Sequence, residues 1–217
     1  RLIRTLELGA VTSHISSMCT SEPIADVISV EPKDLRDLYT LFADLDRISI
    51  VNKTVYQALR ALPIWLSSRG LISANQALLP GNFTDPTGHA DLLDTAVLTE
   101  SAKDFLTLKL GVQTQTIEAF VQTVLPTFFA DAGPLDETKY GRLITELASH
   151  ATLVNDESVR RLLGTLPMVP TQDGRWSRPT NTYRRTEDLA KVLGEALHLW
   201  LDASRLPSAR SVQTFID

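Results

Sequence analysis

The stretch "LPIWLSSRG" at Leu62–Gly70 is written again, recast, as "LPMVPTQDG" at Leu166–Gly174, 104 residues further along. A proline bars the residue before it from continuing a helix comfortably. Two or three apolar residues then suit a short strand. "SSRG" or "TQDG" suits a turn whose glycine takes a conformation that other residues resist. Each phrase therefore predicts a helix stop joined to a β-hairpin, with its second strand at Leu71–Ser73 or Arg175–Ser177.

Working outward, the flanks match as well. Val55, Leu59 and Leu62 precede the first Leu-Pro with helical spacing, as Val159, Leu163 and Leu166 precede the second. Further upstream, "DLRDLYTLFADL" (Asp34–Leu45) faces "KYGRLITELASH" (Lys139–His150), with Leu35, Leu38 and Phe42 in phase with Tyr140, Leu143 and Leu147. "EPIAD" (Glu22–Asp26) faces "LPTFFAD" (Leu125–Asp131), and Ile15 and Met18 face Ile117 and Phe120. The series opens with "IRTLELGA" (Ile3–Ala10) opposite "FLTLKLGV" (Phe105–Val112). Collinear matches of this kind predict two tandem homologous units of about 100 residues, 1–101 and 102–205. Residues 206–217, with Phe215 in the place of Phe105, read as the start of a truncated third unit. The expected fold class is α+β, mainly helical, each unit carrying a small β-hairpin after its Leu-Pro helix stop.

Within the unit, a short helix or turn is expected to end at Gly9 or Gly111. A second helix follows, clearest where Ile117, Phe120, Val121, Val124 and Phe128 form one stripe; Pro126 is expected to kink or end it near Leu125. Pro32 suits the first turn of the next helix, and Asp136 or Glu137 suits the positive start of its counterpart. Trp65, matched to Val169, is expected to be buried. "DLAKVLGEALHLWLD" (Asp188–Asp202) reads as an amphipathic helix with Leu189, Val192, Leu193, Ala196, Leu197 and Trp200 on one face.

The 217 residues are 43% apolar and 22% charged, as in a chain that buries an ordinary core. A net charge of −5 argues against a general polyanion binder. The single cysteine, Cys19, excludes an internal disulfide, fits a reducing cytoplasm, and is expected to be half-buried. No apolar run approaches the ~20 residues of a membrane-spanning helix, so no membrane role is expected. The chain starts without Met, on "RLIRTLELGA", and stops on "SVQTFID", which reads as a fragment of a larger protein.

"LRALPIW", "LLPGNFTDP", "ADLLD", "LGVQTQTIEAFVQTVLP" and "LGTLPMVPTQDGRW" together resemble the regions downstream of the ATPase in sacsin-like proteins. The resemblance covers most of the chain, from about Thr54 to Tyr183. It implies an accessory segment of an ATP-driven, chaperone-like or defence-related machine, with flanking domains of the same polypeptide as partners. It supplies no ATP site here: Asp173-Gly174-Arg175-Trp176 lacks the second glycine of an Asp-x-Gly-x-Gly loop. "PGNFTDPTG" (Pro80–Gly88) lacks the Gly-Lys-Ser/Thr ending of a phosphate loop and reads as a turn-rich linker.

The remaining chemistry is sparse. His14, His89, His150 and His198 are dispersed, without metal-ligand spacing. "HADLLD" places His89, Asp91 and Asp94 close together, the residues on which an unrecognised hydrolase or weak metal site would be built; an acidic helix start explains them with less. No Gly-x-Ser-x-Gly elbow occurs. The one basic stretch, "DGRWSRPTNTYRR", carries Arg175, Arg178, Arg184 and Arg185 with Trp176 and Tyr183 between them. Arginines on phosphates and aromatics on bases make it the candidate for nucleic-acid or partner contact. Trp176 and Tyr183 also fall where the first unit has apolar Ile72 and Leu79, which predicts core positions for both. The expectation is a non-catalytic, cytoplasmic scaffold or interaction segment with protein partners. It has no cofactor, metal or catalytic residue, and nucleic-acid binding through Arg175–Arg185 is the alternative.

Overall fold

The structure, a computed structural model, describes residues 6–21, 29–131, 136–150 and 155–216. It is α+β and mainly helical. The chain forms two compact units, Arg1–Asn82 with Ala90–Gln115, and Phe83–His89 with Thr116–Asp217. The expected match at Glu22–Asp26 and the first residues of Ile3–Ala10 lie outside the described residues.

In the first unit, α1 (Leu8–Ser21) packs on α2 (Pro32–Ile48) and α3 (Lys53–Ala61). Pro32 stands in the first turn of α2, where its missing N–H costs nothing. Leu35, Tyr39, Phe42, Ala43 and Leu45 form the buried stripe of α2. Asn52 caps α3 by accepting the Val55 N–H, and Leu62, extended before Pro63, ends it. The hairpin β1 (Trp65–Ser67) and β2 (Gly70–Ile72) follows, with Gly70 at φ +106° opposite Ser67. Trp65 is 1% exposed, its ring 4.8 Å from Tyr39 and 5.9 Å from Phe42.

The Tyr39 hydroxyl fastens this hairpin to α2, donating to Ile64 O at 2.7 Å and accepting from Leu66 N at 2.9 Å. Strand β3 (Ala77–Leu79) then pairs in parallel with both β4 (Asp91–Leu92) and β5 (Gln113–Thr114). Gly81 lets the backbones close up, since a Cβ there would lie 2.1 Å from Gln115 O. Between β4 and β5, α4 (Glu100–Leu108) packs along α2, burying Ala102, Phe105 and Leu106.

In the second unit, α5 (Ile117–Ala119), a π-helical stretch Phe120–Val124 and α6 (Leu125–Asp131) follow one another directly. Of the two expected outcomes at Pro126, a kink or an end near Leu125, the end does not occur. The wide turn, in which Leu125 N reaches back to Phe120 O, shifts the ladder just before Pro126 and admits the ring. Ile117, Phe120, Val121, Val124 and Phe128 are all buried, as their spacing predicts. Asp136 caps α7 (Glu137–Ser149), which buries Tyr140, Leu143, Ile144, Leu147 and Ala148. Asp156 caps α8 (Glu157–Thr165) through Ser158 and Val159 N–H, and Leu166 ends it in the extended conformation. The hairpin β6 (Val169–Pro170) and β7 (Trp176–Ser177) has one more residue between the pair Val169–Ser177 than the first has between Trp65 and Ile72, with Gly174 at φ +84° in the turn.

Four expectations are corrected. Gly9 lies inside α1, whereas Gly111, at φ +67°, does follow α4. The second strands begin one residue off, at Gly70 and Trp176. "HADLLD" starts no helix: Asp91–Leu92 is β4, and Asp94 caps the 3-10 turn Thr95–Val97. The predicted helix over Asp188–Asp202 is cut to α9 (Glu187–Leu193), because Gly194 turns the chain at φ +60°. Leu189 and Val192 are consequently exposed, and Trp200 alone of that face is fully buried, its Nε1 donating to Gly194 O at 3.1 Å. The last helix, α10 (Arg210–Ile216), packs along α7 with Val212 buried.

Candidate functional site

The four arginines of the basic stretch are exposed but do not gather into one patch of free charge. Arg175 Nε lies 3.5 Å from Asp173 Oδ2 in the hairpin turn, with 83% of its side chain exposed. Arg178 precedes the 3-10 turn Pro179–Asn181. Arg184 Nη2 donates to Gln213 Oε1 at 2.9 Å, and Arg185 Nη2 to Glu195 Oε1 at 2.8 Å. A carboxylate beside two of the four cancels much of the field a phosphate backbone would feel.

The interleaved aromatics are engaged within the unit. Trp176 is half-buried, its ring 4.4 Å from Tyr140 and 4.8 Å from the Arg205 guanidinium. Glu137 Oε1 holds Arg205 Nε at 3.2 Å from the other side. Tyr183 is 43% exposed, which corrects its assignment to the core: it sits beside Trp200 as an edge residue. Burial pushes the Tyr140 hydroxyl well above the usual phenol range, and this buried oxygen has no hydrogen-bond partner. A lone buried hydroxyl without a neighbouring base is no nucleophile.

The residues around His89 do not assemble a reactive centre. His89 Nδ1 meets Thr87 O at 3.0 Å, and its ring stacks edge-on against Phe128 in the second unit. Asp91 pairs with Arg69 across 3.2 Å, and Asp94 accepts the Ala96 N–H, both in the first unit. Among the described residues no three His, Cys, Asp or Glu side chains come together in a way that holds a metal ion. Cys19 is half-buried, and burial raises its thiol, the direction away from reactivity.

Two features escaped the sequence reading. In the first unit Asp46, with 9% of its side chain exposed, accepts from the Tyr56 hydroxyl and lies 3.6 Å from Lys109 Nζ. Burial, then the hydrogen bond to the Asp46 carboxylate and its charge, push the Tyr56 hydroxyl up to about 12. The trio joins the ends of α2 and α4 to α3. No local pattern announces it, because its members lie far apart in the chain.

In the second unit, α8, Pro179–Thr180 and α10 enclose an open apolar groove of about 770 Å³, floored by Leu163 and Met168. Its size falls within the range of ligand pockets. Among the described residues no helix is long and apolar enough to cross a membrane. No family model, curated protein or solved structure matches the chain.

Proposed function

We propose that the chain is a non-catalytic scaffold or interaction segment made of two tandem copies of one unit, working in the cytoplasm within a larger ATPase-containing polypeptide. The observation that carries this reading is a set of corresponding main-chain bonds. Leu93 N donates to Leu78 O and Asp94 N to Leu66 O; Leu201 N donates to Tyr183 O and Asp202 N to Pro170 O, all four at 2.9 Å. Asp94 and Asp202 each then cap a 3-10 turn, Thr95–Val97 and Ala203–Arg205. Asn52 and Asp156 cap matching helices, and each Leu-Pro leads into a hairpin.

On this reading each compact unit is closed by the first helix of the next copy: α4 lies on α2 as α10 lies on α7. Tandem units of this kind offer long surfaces to partners. Asp136 and Asp156 cap helices and the Tyr39 hydroxyl pins the first hairpin, roles that favour a structural part over chemistry. The resemblance to sacsin-like regions supplies the context, a heat-shock-chaperone type ATPase elsewhere in the same polypeptide. Nucleic-acid binding is less well supported, because Trp176 stacks on Tyr140 and Arg205, and two of the four arginines lie beside carboxylates. In the full-length polypeptide, amide exchange over residues 29–216 is expected to change when a non-hydrolysable ATP analogue binds. Identical exchange with and without the nucleotide contradicts a linking role.

A further inference from the structure

The sequence holds one Asp-Gly pair, Asp173–Gly174, and no Asn-Gly. The pair stands in the turn of the second hairpin, where Gly174 takes φ +84° and both residues are exposed. Aspartate before glycine is open to succinimide closure, because no side chain on the second residue shields its nitrogen. In that reaction the Gly174 nitrogen bonds to Asp173 Cγ, a carboxyl C–O bond breaks, and the amide proton leaves with the hydroxyl as water. Water then opens the ring at the Asp173 main-chain carbonyl, and the chain runs on through Cγ as isoaspartate. Nothing is oxidised or reduced.

Both reacting groups are tied down within the turn, whereas closure needs the nitrogen brought onto Cγ. Gly174 N donates to Thr171 O at 2.9 Å, and Arg205 Nη1 lies 3.5 Å from Gly174 O. Asp173 Oδ1 accepts from the Thr171 hydroxyl at 2.6 Å and from Arg175 N at 3.2 Å, while Arg175 Nε lies 3.5 Å from Oδ2. The Thr171 hydroxyl above all, with Arg175, holds the carboxyl below its usual 3.8, away from the protonated form that loses water. Thr171 is itself 1% exposed, its N–H donating to Arg175 O at 2.9 Å.

The first hairpin separates two tasks of this hydroxyl. There Ser67 Oγ donates to Gly70 O at 2.9 Å and accepts from Arg69 N at 3.1 Å, and the residue before the glycine is Arg69. Thr171 Oγ1 likewise lies 3.1 Å from Arg175 O, so closing the turn is common to both hairpins. Holding a carboxylate beside a glycine nitrogen belongs to the second.

We propose that Asp173–Gly174 is a site of spontaneous isoaspartate formation, and that the buried Thr171 hydroxyl holds the reaction off while the hairpin is folded. Isomerisation adds one atom to the main chain and draws the Gly174 N–H away from Thr171 O. The inference does not depend on the two units being copies.

The test ages the full 217-residue chain at neutral pH in water enriched in heavy oxygen, with peptide mapping by mass spectrometry. Isoaspartate registers as a peptide of shifted retention that has taken up heavy oxygen, and fragmentation places it at residue 173. The same chain unfolded in urea supplies the unguarded rate, and the folded chain is expected to be at least about tenfold slower. Thr171→Val keeps the shape and removes the hydroxyl. It is expected to raise the folded rate about tenfold, the factor one hydrogen bond to a charged group supplies. Thr171→Ser is expected to keep the parent rate. Urea midpoints give the unfolded fraction of each variant, and the rate carried by that fraction is subtracted, so that lost fold is not read as a lost hydroxyl. Asp173→Glu, whose ring needs an extra member, is expected to abolish the product. A folded parent no slower than the unfolded one overturns the proposal, whether or not Thr171→Val folds. So do equal folded rates for Thr171→Val and Thr171→Ser, or an unfolded chain that forms no isoaspartate at residue 173.

Discussion

The two hairpins solve one problem with different side chains. In the first unit Trp65 fills the space under the hairpin, and the Tyr39 hydroxyl bonds to the main chain on both sides of it. At the positions that the proposed repeat matches to these, the second unit has Val169 and Ile144, both buried and neither with a side chain able to donate a hydrogen bond. Bulk gathers instead where Tyr140, Trp176 and Arg205 stack on one another, at the positions that the proposed repeat and the strand registers match to Leu35, Leu71 and Val97. Backbone bonds and caps therefore carry the proposed repeat, while core volume is free to migrate between layers.

The contrast meets its severest test at Trp65. Trp65→Ala removes a fully buried ring and is expected to cost about 3–5 kcal/mol; Val169→Ala, losing two methyl groups, is expected to cost about 2 kcal/mol. Urea unfolding followed by residue-resolved amide exchange separates the two units. Equal losses at both positions contradict the migration of core volume.

The tyrosines probe the same contrast more finely. Tyr39→Phe strands the Ile64 carbonyl and the Leu66 N–H and is expected to cost about 1–3 kcal/mol. Tyr140→Phe deletes a hydroxyl that has no partner, and is expected to be neutral or slightly stabilising. Denaturation midpoints read both, and a larger loss for Tyr140→Phe reverses the assignment.

The sequence disclosed what depends on local backbone rules. Proline after leucine, a positive-φ glycine and periodic apolar residues located both hairpins and the buried faces of α2, α7 and α8. It misled where one residue overrides a pattern. Gly194 ends a helix that the apolar spacing extends to Trp200, and a π-helical turn carries the chain through Pro126. The Asp46–Tyr56–Lys109 trio and the apolar groove arise from segments distant in the chain, so no spacing could reveal them. The arginines of the basic stretch were visible, but not their partners Glu195 and Gln213.

Helix caps give a smaller contrast. Asn52→Ala is expected to cost about 1 kcal/mol at neutral pH, and Asp156→Ala to loosen the start of α8 there. They part company on titration. Hydrogen bonds from the Ser158 hydroxyl and from the Val159 and Ser158 N–H groups hold the Asp156 carboxyl below its usual 3.8. Its contribution is complete above that value and lost as pH falls through the lowered folded value, whereas the Asn52 amide is indifferent. Protection of the α8 amides, relative to their intrinsic exchange rates, is expected to fall in acid before that of α3.

At the alkaline end, burial above all holds the Tyr39 hydroxyl at about 12, against an ordinary 10. Its contribution is complete below pH 10 and lost as pH rises towards 12. A first unit whose stability stays flat across that interval contradicts the burial of this phenol.

Most directly, the correspondence rests on the amides of Leu93 and Asp94 in one unit and Leu201 and Asp202 in the other. Hydrogen exchange measured by NMR is predicted to find all four slow, each pair protected to the level of its own unit. Fast exchange at Leu201 and Asp202 beside slow exchange at Leu93 and Asp94 would mean that the second unit is not built on the plan of the first.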